Sequence, residues 1–407
     1  MSKNSNGFKK CQLPTFTGQF LEKTSCFLGI NLSSYVGRLY SFTLIVLFSM
    51  LSEMSWHNIC TEYCEELLIR KFMVMLEYIL YIVLVLTMLG TSLFRPKHFA
   101  FPRQEMFIID SMFESYGAQI SKKDIFFAEY LQDAVIMIVA FFAIMKYAYD
   151  IIVNNSYELI YYSLQSWYSM VCLLFIDGLF THYVNNIYLR FRELNKIAIH
   201  SKENLSISYI DFTTNLNIFN KCSCAIITKI CLIQHIHHGL YVLAIKVNNN
   251  FGLQLLTISA ICLNAIILLL HDIYHNIKTN NTNIEILIFH TIFIFCYIFR
   301  FSYISYICQR SRNEFKQMGI ILHNVFLQHK SLRAKVIHFS LQLINEDLTF
   351  TAFGLYEINI SLICSIAGAV VTYLVMVIQL DTTTKLTNYN VTTMWNSIEN
   401  NFPTTIA

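Results

Sequence analysis

The chain has 407 residues, of which 55% are hydrophobic and 14% charged, and its mean hydropathy is +0.48. Soluble globular domains carry about 25% charged residues, so the composition excludes that class and defines a polytopic membrane protein. The net charge of +3 leaves no electrostatic footprint for nucleic acid, and no nucleic-acid partner is expected.

The opening segment, residues 1–37, is polar and lacks a compact apolar stretch followed by a small-residue cleavage site. No cleavable signal is therefore expected, and the first membrane helix acts as its own insertion signal. Seven apolar runs are long enough to cross a bilayer as helices. They are residues 38–54, ending beside Glu53, then 72–94, 131–149, 159–183, 251–270, 286–307 and 361–380. The four prolines, Pro14, Pro96, Pro102 and Pro403, all lie outside these runs. The fold class is all-α.

Lysine and arginine set the orientation. The N-terminal segment and the connections after spans two, four and six carry 22 of them, against four on the opposite side (Arg70, Lys71, Lys278 and Lys385). The N-terminus is expected inside and the C-terminus outside. Outer connections are short and inner ones long. Residues 225–247 and 316–343 place apolar side chains at helical steps with charges between, so they read as cytoplasmic helices; amphipathic helices on the inner leaflet are the alternative. The predicted organisation is a cytoplasmic segment 1–37, membrane helices one to six within 38–309, anchor helices 310–360, a last membrane helix 361–380 and an outer tail 381–407.

Several residues within or beside the spans bear on chemistry. Lys146 and Asp150 are spaced as a local helical ion pair. Asp177 falls in mid-span, where a carboxylate costs roughly 3 kcal/mol, so it faces protein or water, with Arg300 as a candidate partner. Tyr161, Gln165, Trp167 and Tyr168 open span four. Asn264 and Asp272 lie near the end of span five, and His290 near the start of span six. Aromatic faces with sparse amides suit ring-bearing small molecules, while an aromatic belt at the membrane surface accounts for the same residues. Cys231, His235 and His238 are at i, i+4 and i+7, but three local ligands fall short of a zinc site, and no metal or cofactor is expected. Cys60 and Cys64 share a predicted outer loop in which a disulfide and free thiols both fit. Cys222 and Cys224 fall on the side where thiols stay reduced.

The last run, 361–380, carries a stripe of small and polar residues at helical spacing: Ser365, Gly368, Thr372, Val375 and Gln379. A helix lining a water-filled path has that pattern, and so does a packing seam between membrane helices. Gln379 offers an amide oxygen to a hydrated cation. Leu380, Met376 and Val375 are candidates for a constriction that closes by dewetting. Tyr373 lies about 100° round the helix from Thr372 and is expected against a neighbouring helix. Asp381 and Glu399 put negative charge near the outer mouth.

Thr372-Tyr373-Leu374-Val375-Met376-Val377-Ile378-Gln379-Leu380 closely resembles the signature of insect gustatory receptors, Thr-Tyr, five hydrophobic residues, Gln-Phe, in the last membrane helix. The run Ala352-Phe353-Gly354-Leu355-Tyr356-Glu357-Ile358-Asn359 is similar to that family's approach to the helix, and Asn250-Phe251-Gly252-Leu253 to its entry into span five. Leu380 stands where the family usually has Phe. The resemblance implies a tastant-gated non-selective cation channel. Four homomeric or heteromeric copies would surround a pore lined by the last helix, with a ligand pocket in the outer half of each bundle. It further implies a multi-pass protein of the taste-neuron plasma membrane whose partners are a small-molecule tastant, cations and membrane lipid. Bitter or other plant-derived compounds are the expected ligands, with a sugar-responsive member and a G-protein-coupled seven-helix receptor as alternatives. No nucleophile–base or metal constellation suggests an enzyme.

Overall fold

The computed structural model describes residues 16–30, 35–62, 68–94, 103–115, 160–211, 216–278, 284–326 and 333–379, with scattered positions between 130 and 152. Among these, the chain folds into helices α1 (Phe16–Phe27), α2 (Tyr35–Glu62), α3 (Leu68–Phe94), α4 (Arg103–Ser115), α5 (Ile160–Asp211), α6 (Leu216–Lys278), α7 (Ile284–Phe326) and α8 (Arg333–Asn345). A two-stranded hairpin follows, β1 (Thr351–Ala352) and β2 (Tyr356–Glu357), and then the final helix α9 (Ile360–Gln379). Among the described residues, six helices are long and apolar enough to cross a membrane: α2, α3, α5, α6, α7 and α9. The third predicted span falls partly outside the described residues; its positions 134, 136–142, 144, 145 and 148 are helical. The Lys146–Asp150 pair, Cys64, Leu380, Asp381 and Glu399 lie outside the described residues, as do the side chains of Cys60, Cys222 and Cys224.

At 1.5 Å per residue, the 52 residues of α5 and the 63 of α6 extend roughly 80 and 95 Å, well beyond a hydrocarbon core of about 30 Å. The sequence reading separated residues 225–247 from span five at the asparagine run Asn248–Asn250. The helix instead runs straight through. Residues 316–343, read as one helix, divide between the end of α7 and α8. A helix has no reason to stop at the membrane surface when its next turns find a core. Here Phe191, His237, Phe315 and Phe339 supply one, with ring centroids 4.6 Å apart for His237–Phe315 and 5.3 Å for Phe191–His237. Asn195 ties α5 to α7 by donating to the Glu314 carboxylate at 2.8 Å. Arg190, 2% exposed, takes the Asp110 carboxylate bidentately at 2.8 Å on both arms and fastens α4 to α5.

α1 ends in a Schellman turn: Ile30 N–H donates to Ser25 O at 2.8 Å and Gly29 N–H to Cys26 O at 3.1 Å. Gly29 has φ +82°, and a Cβ there would meet Leu89 and Leu44 at 2.7 and 2.9 Å, so both backbone and space demand glycine. Ser41 and Tyr40 at the start of α2 donate to the freed carbonyls of Gly29 and Phe27.

The hairpin seats against α6. Its register pairs Thr351 with Glu357 and Ala352 with Tyr356, and its turn carries Phe353 and Gly354 at φ 52° and 76°. A Cβ on Gly252 would lie 3.2 Å from the Phe353 nitrogen, so the absent side chain is what lets hairpin and helix approach. The Asn248 side chain closes a two-point clasp: Thr351 N–H donates to its Oδ1 at 2.9 Å, and its Nδ2 donates to Thr351 Oγ1 at 3.2 Å. Tyr356 and Ser259 share a hydroxyl–hydroxyl bond, and burial pushes the Tyr356 phenol above its usual range, keeping it protonated. Arg312 of α7 holds Glu357 at 2.8 Å. The stretches 250–253 and 352–359, far apart in sequence, are thus two halves of one contact. Asn248→Leu leaves the partly buried Thr351 N–H without this acceptor. A loss of about 1–3 kcal/mol is expected, read as a lowered thermal unfolding midpoint of the purified protein.

Candidate functional site

Asn359 starts the final helix as its N-cap, with Leu362 N–H donating to its Oδ1 at 3.0 Å. From there the helix divides into two faces. Leu362, Ile363, Ile366, Ala369, Val370, Leu374 and Val377 turn toward their own chain, with Val370 and Val377 8% and 9% exposed. Ser365, Gly368, Thr372, Val375 and Gln379, the stripe read from sequence, all fall on the exposed side, together with Met376. Thr372 Oγ1 donates to Gly368 O at 2.9 Å and Ser365 Oγ to Ser361 O at 3.4 Å, so each hydroxyl is satisfied within the helix. Tyr373 is 51% exposed and does not pack into its own bundle. Of an apolar 18-residue stretch of this span only 6% is buried inside the chain, against 89% for the corresponding stretch of α5.

The bundle interior lies behind the final helix. Gln165 is 1% exposed, and neither its amide oxygen nor its nitrogen meets a hydrogen-bond partner among the described residues. Asn264 donates to Met73 O at 3.1 Å and keeps its Oδ1 open. Tyr168 turns away from these, toward Leu28 O at 3.4 Å and the Phe48 ring at 5.6 Å. Tyr161 is 39% exposed at the start of α5, and Trp167 is partly buried. Asp272, near the C-terminal end of α6, pairs with Arg70 of α3 at 3.3 Å and with His271 at 3.6 Å. His290 is partly buried near the start of α7. The predicted ligand residues therefore divide between an inward set (Gln165, Asn264), a polar rim (Asp272) and a contact with the α1–α2 corner (Tyr168).

The sequence reading missed the meeting of α3, α5 and α7. Tyr81 and Tyr297 bring their hydroxyls to 3.3 Å, each 3.8 Å from Met170 Sδ. The signal was available: a phenol in mid-span needs a polar partner that lipid does not supply. Below this point Arg300 Nε stands 2.6 Å from Asp177 Oδ2, with the side chains 9% and 6% exposed, and the guanidinium lies 5.3 Å from the Tyr297 ring. The partner expected for the mid-span carboxylate is the one found. The zinc-like spacing resolves differently. His238 Nδ1 lies 2.6 Å from Glu346 Oε1 of the segment after α8, and His235 is exposed. Among the described residues no three such groups converge on a metal-sized site.

These helices, apolar outside and polar-paired within, are those of a polytopic helical membrane protein. The 7tm chemosensory receptor profile matches residues 24–384, and the chain belongs to that family. Two Drosophila melanogaster proteins are similar in sequence. Putative gustatory receptor 28b is 28% identical over 193 residues, 45% of this chain and 40% of that one. Gustatory receptor 23a is 28% identical over 145 residues, 35% of this chain and 39% of that one. The chain thus matches about two-fifths of each relative's length. Among solved structures, the insect olfactory receptor OR5 from Machilis hrabei shares the fold. Its TM-score is 0.61 at 11% identity, covering 89% of this chain and 97% of that one; the structure in complex with eugenol gives 0.63, covering 89% and 98%.

Removing one member of the Asp177–Arg300 pair strands a charge in a dry interior. Arg300→Met alone is expected to cost roughly 3–5 kcal/mol, and adding Asp177→Leu to recover most of it. Thermal unfolding of the two solubilised variants against the parent measures both steps.

Proposed function

We propose that this chain is one subunit of a tastant-gated, non-selective cation channel in the plasma membrane of taste neurons. The observation that carries the reading is the two-faced final helix. An exposed stripe of Ser365, Gly368, Thr372, Val375 and Gln379 on a helix with so little packing of its own is ill suited to lipid. Four copies around an axis would turn that stripe inward as a water-filled wall. Gln379 would form an amide ring near the outer mouth, with Val375, Met376 and Leu380 narrowing the path. Tyr373 would then meet a neighbouring subunit. The N-terminus would lie inside, and the lower parts of α5 to α8 would form the shared anchor.

The ligand reading rests on the bundle interior. Gln165 and Asn264 hold buried hydrogen-bonding atoms without partners among the described residues, groups that a small molecule could meet. Bitter or other plant-derived compounds fit sparse polar groups among many apolar ones better than polyhydroxylated sugars do. The relatives are gustatory receptors by name, which supports the same reading, and the solved neighbour's complex with eugenol supports a small-molecule ligand.

The test is a recording from cells expressing this chain, alone and with co-expressed receptors of the family, during application of a panel of plant compounds. Ligand-evoked cation current should persist in excised patches with GDP-β-S present. A response that GDP-β-S abolishes, or no evoked current in any combination, overturns the reading. Within a responding channel, Gln379→Ala is expected to shift the reversal potential or single-channel conductance while surface expression stays near the parent level. Surface labelling and bi-ionic recordings separate the two.

A further inference from the structure

One face of α7 changes character at the foot of the membrane. Phe295, Phe299, Tyr303, Tyr306 and Arg310 fall within about 80° of one another round the helix. The stripe turns outward: Phe295 is 67% exposed, Phe299 52% and Tyr306 48%. Phe299 and Tyr303 stack at 6.3 Å and 9°. An aromatic ladder therefore descends the lipid-facing side and ends in a cation. The apolar run of this helix stops at residue 307 and that of α5 at 183. Arg310 and Tyr188 lie roughly 5 and 8 Å beyond those ends, within the headgroup band of a bilayer.

Arg310 stands there without an anion. Its guanidinium lies 4.4 Å from the centroid of the Tyr188 ring on α5 and 5.7 Å from that of Tyr306. Tyr188 is 3% exposed and forms, with Leu189, a small buried patch apart from the main core. Glu314, one turn further along α7, is engaged by Asn195 at 2.8 Å, and among the described residues no carboxylate pairs with Arg310. A ring face balances the charge but gives the N–H groups no oxygen to donate to. Arg310 is itself exposed, so those donors face outward at headgroup depth. Arg192, one turn below Tyr188 on α5, brings a second cation to the same side. The Arg190–Asp110 and Lys196–Glu193 pairs are already neutral. Arg310, Arg192 and Glu314 together leave a single positive charge.

We propose that Arg310, held on Tyr188, binds the phosphate of one singly anionic phospholipid in the cytoplasmic leaflet, with an acyl chain lying along Tyr306, Tyr303 and Phe299. A planar guanidinium matches two phosphate oxygens at once. One negative charge, as on phosphatidylserine, answers the local charge; a polyphosphate headgroup would exceed it. Zwitterionic lipids bring a cation of their own and leave the site uncompensated. The leaflet follows from the N-terminus-inside reading of the channel, whereas the binding itself is measured without reference to orientation or current.

The experiment uses the full-length chain in phosphatidylcholine nanodiscs. These carry a small fraction of phosphatidylserine with a diazirine near the glycerol end of one acyl chain, and adducts are mapped by mass spectrometry. Adducts are expected on peptides containing 299–310 and 188–192, and unlabelled phosphatidylserine should suppress them where the same added fraction of phosphatidylcholine does not. Arg310→Ala should cut this labelling about tenfold, as loss of one charge-assisted hydrogen bond provides, while labelling of other peptides is unchanged. Lys278→Ala, which removes a cation 5.4 Å from the Tyr274 ring at the far end of α6, should leave it as it was. If Arg310→Ala does not fold, the mapping and competition on the parent protein decide alone. Adducts spread evenly over the lipid-facing helices, or equal suppression by phosphatidylcholine, would overturn the proposal. Glycerophosphoserine competing as well as the intact lipid would overturn it in favour of a free phosphate site. A polyphosphoinositide competing tenfold better than phosphatidylserine would overturn the singly charged class. Specific labelling in a chain that passes no evoked current would count against the channel reading and leave this site standing.

Discussion

Hydrocarbon offers no hydrogen bonds, and several polar groups described within the spans answer to that constraint by pairing with one another or with backbone. Arg300 finds Asp177, Tyr81 finds Tyr297, and Asn264 finds a backbone carbonyl. Thr257, Ser259 and Thr291 donate back into their own helices. The final helix answers it differently. Its hydroxyls are satisfied by their own backbone, yet its small and polar stripe faces away from the chain that carries it. A single chain leaves that surface uncovered, and in the proposed channel a ring of chains around water would resolve it. The same constraint gives meaning to the open oxygens of Gln165, Asn264 and Asp177, which lie inside the bundle where no bulk water reaches.

The hairpin is where interior and final helix meet. Asn248, Gly252 and Ser259 of α6 hold it from one side and Arg312 of α7 from another, and Asn359 at its end caps the final helix. Helices α6 and α7 also carry Asn264, Tyr297 and Arg300. In the proposed channel, a change in their packing around a ligand would reach the base of the final helix through short, polar, well-registered contacts rather than through a loose linker. The Phe353 and Gly354 turn, with both φ angles positive, keeps that connector compact.

The spans were legible because hydropathy is a bulk signal and survives errors at single positions. Their ends were less so. The first membrane helix, α2, extends from Tyr35 to Glu62, past the Glu53 beside which the predicted span ends, because intrahelical bonds continue after the apolar run stops. The Asn248–Asn250 run looked like a boundary. It lies inside a helix because Asn248 spends its side chain on Thr351. Asp177 was legible since a buried charge demands a partner, and the stripe on the final helix since its spacing is periodic. Tyr81, Met170 and Tyr297 were not, each being one polar or soft atom in an apolar run, given meaning only by helices that sequence does not place together. His237, 0% exposed among Phe191, Phe315 and Phe339, shows the same limit: a histidine beside a metal-like spacing proved to be a core ring.

The central claim is that the outward stripe of the final helix becomes a water-lined wall in the assembled protein. Cysteine accessibility tests it most directly, in a Cys364→Ser background that removes the exposed native thiol of this helix. Single cysteines at Ser365, Thr372 and Gln379 should react with a charged methanethiosulfonate reagent, faster when ligand is present, and alter current as they do. Cysteines at Ile366, Val370 and Val377 should stay unmodified over the same interval. Equal reactivity around the helix, or reaction confined to the Val370 and Val377 face, would contradict the account.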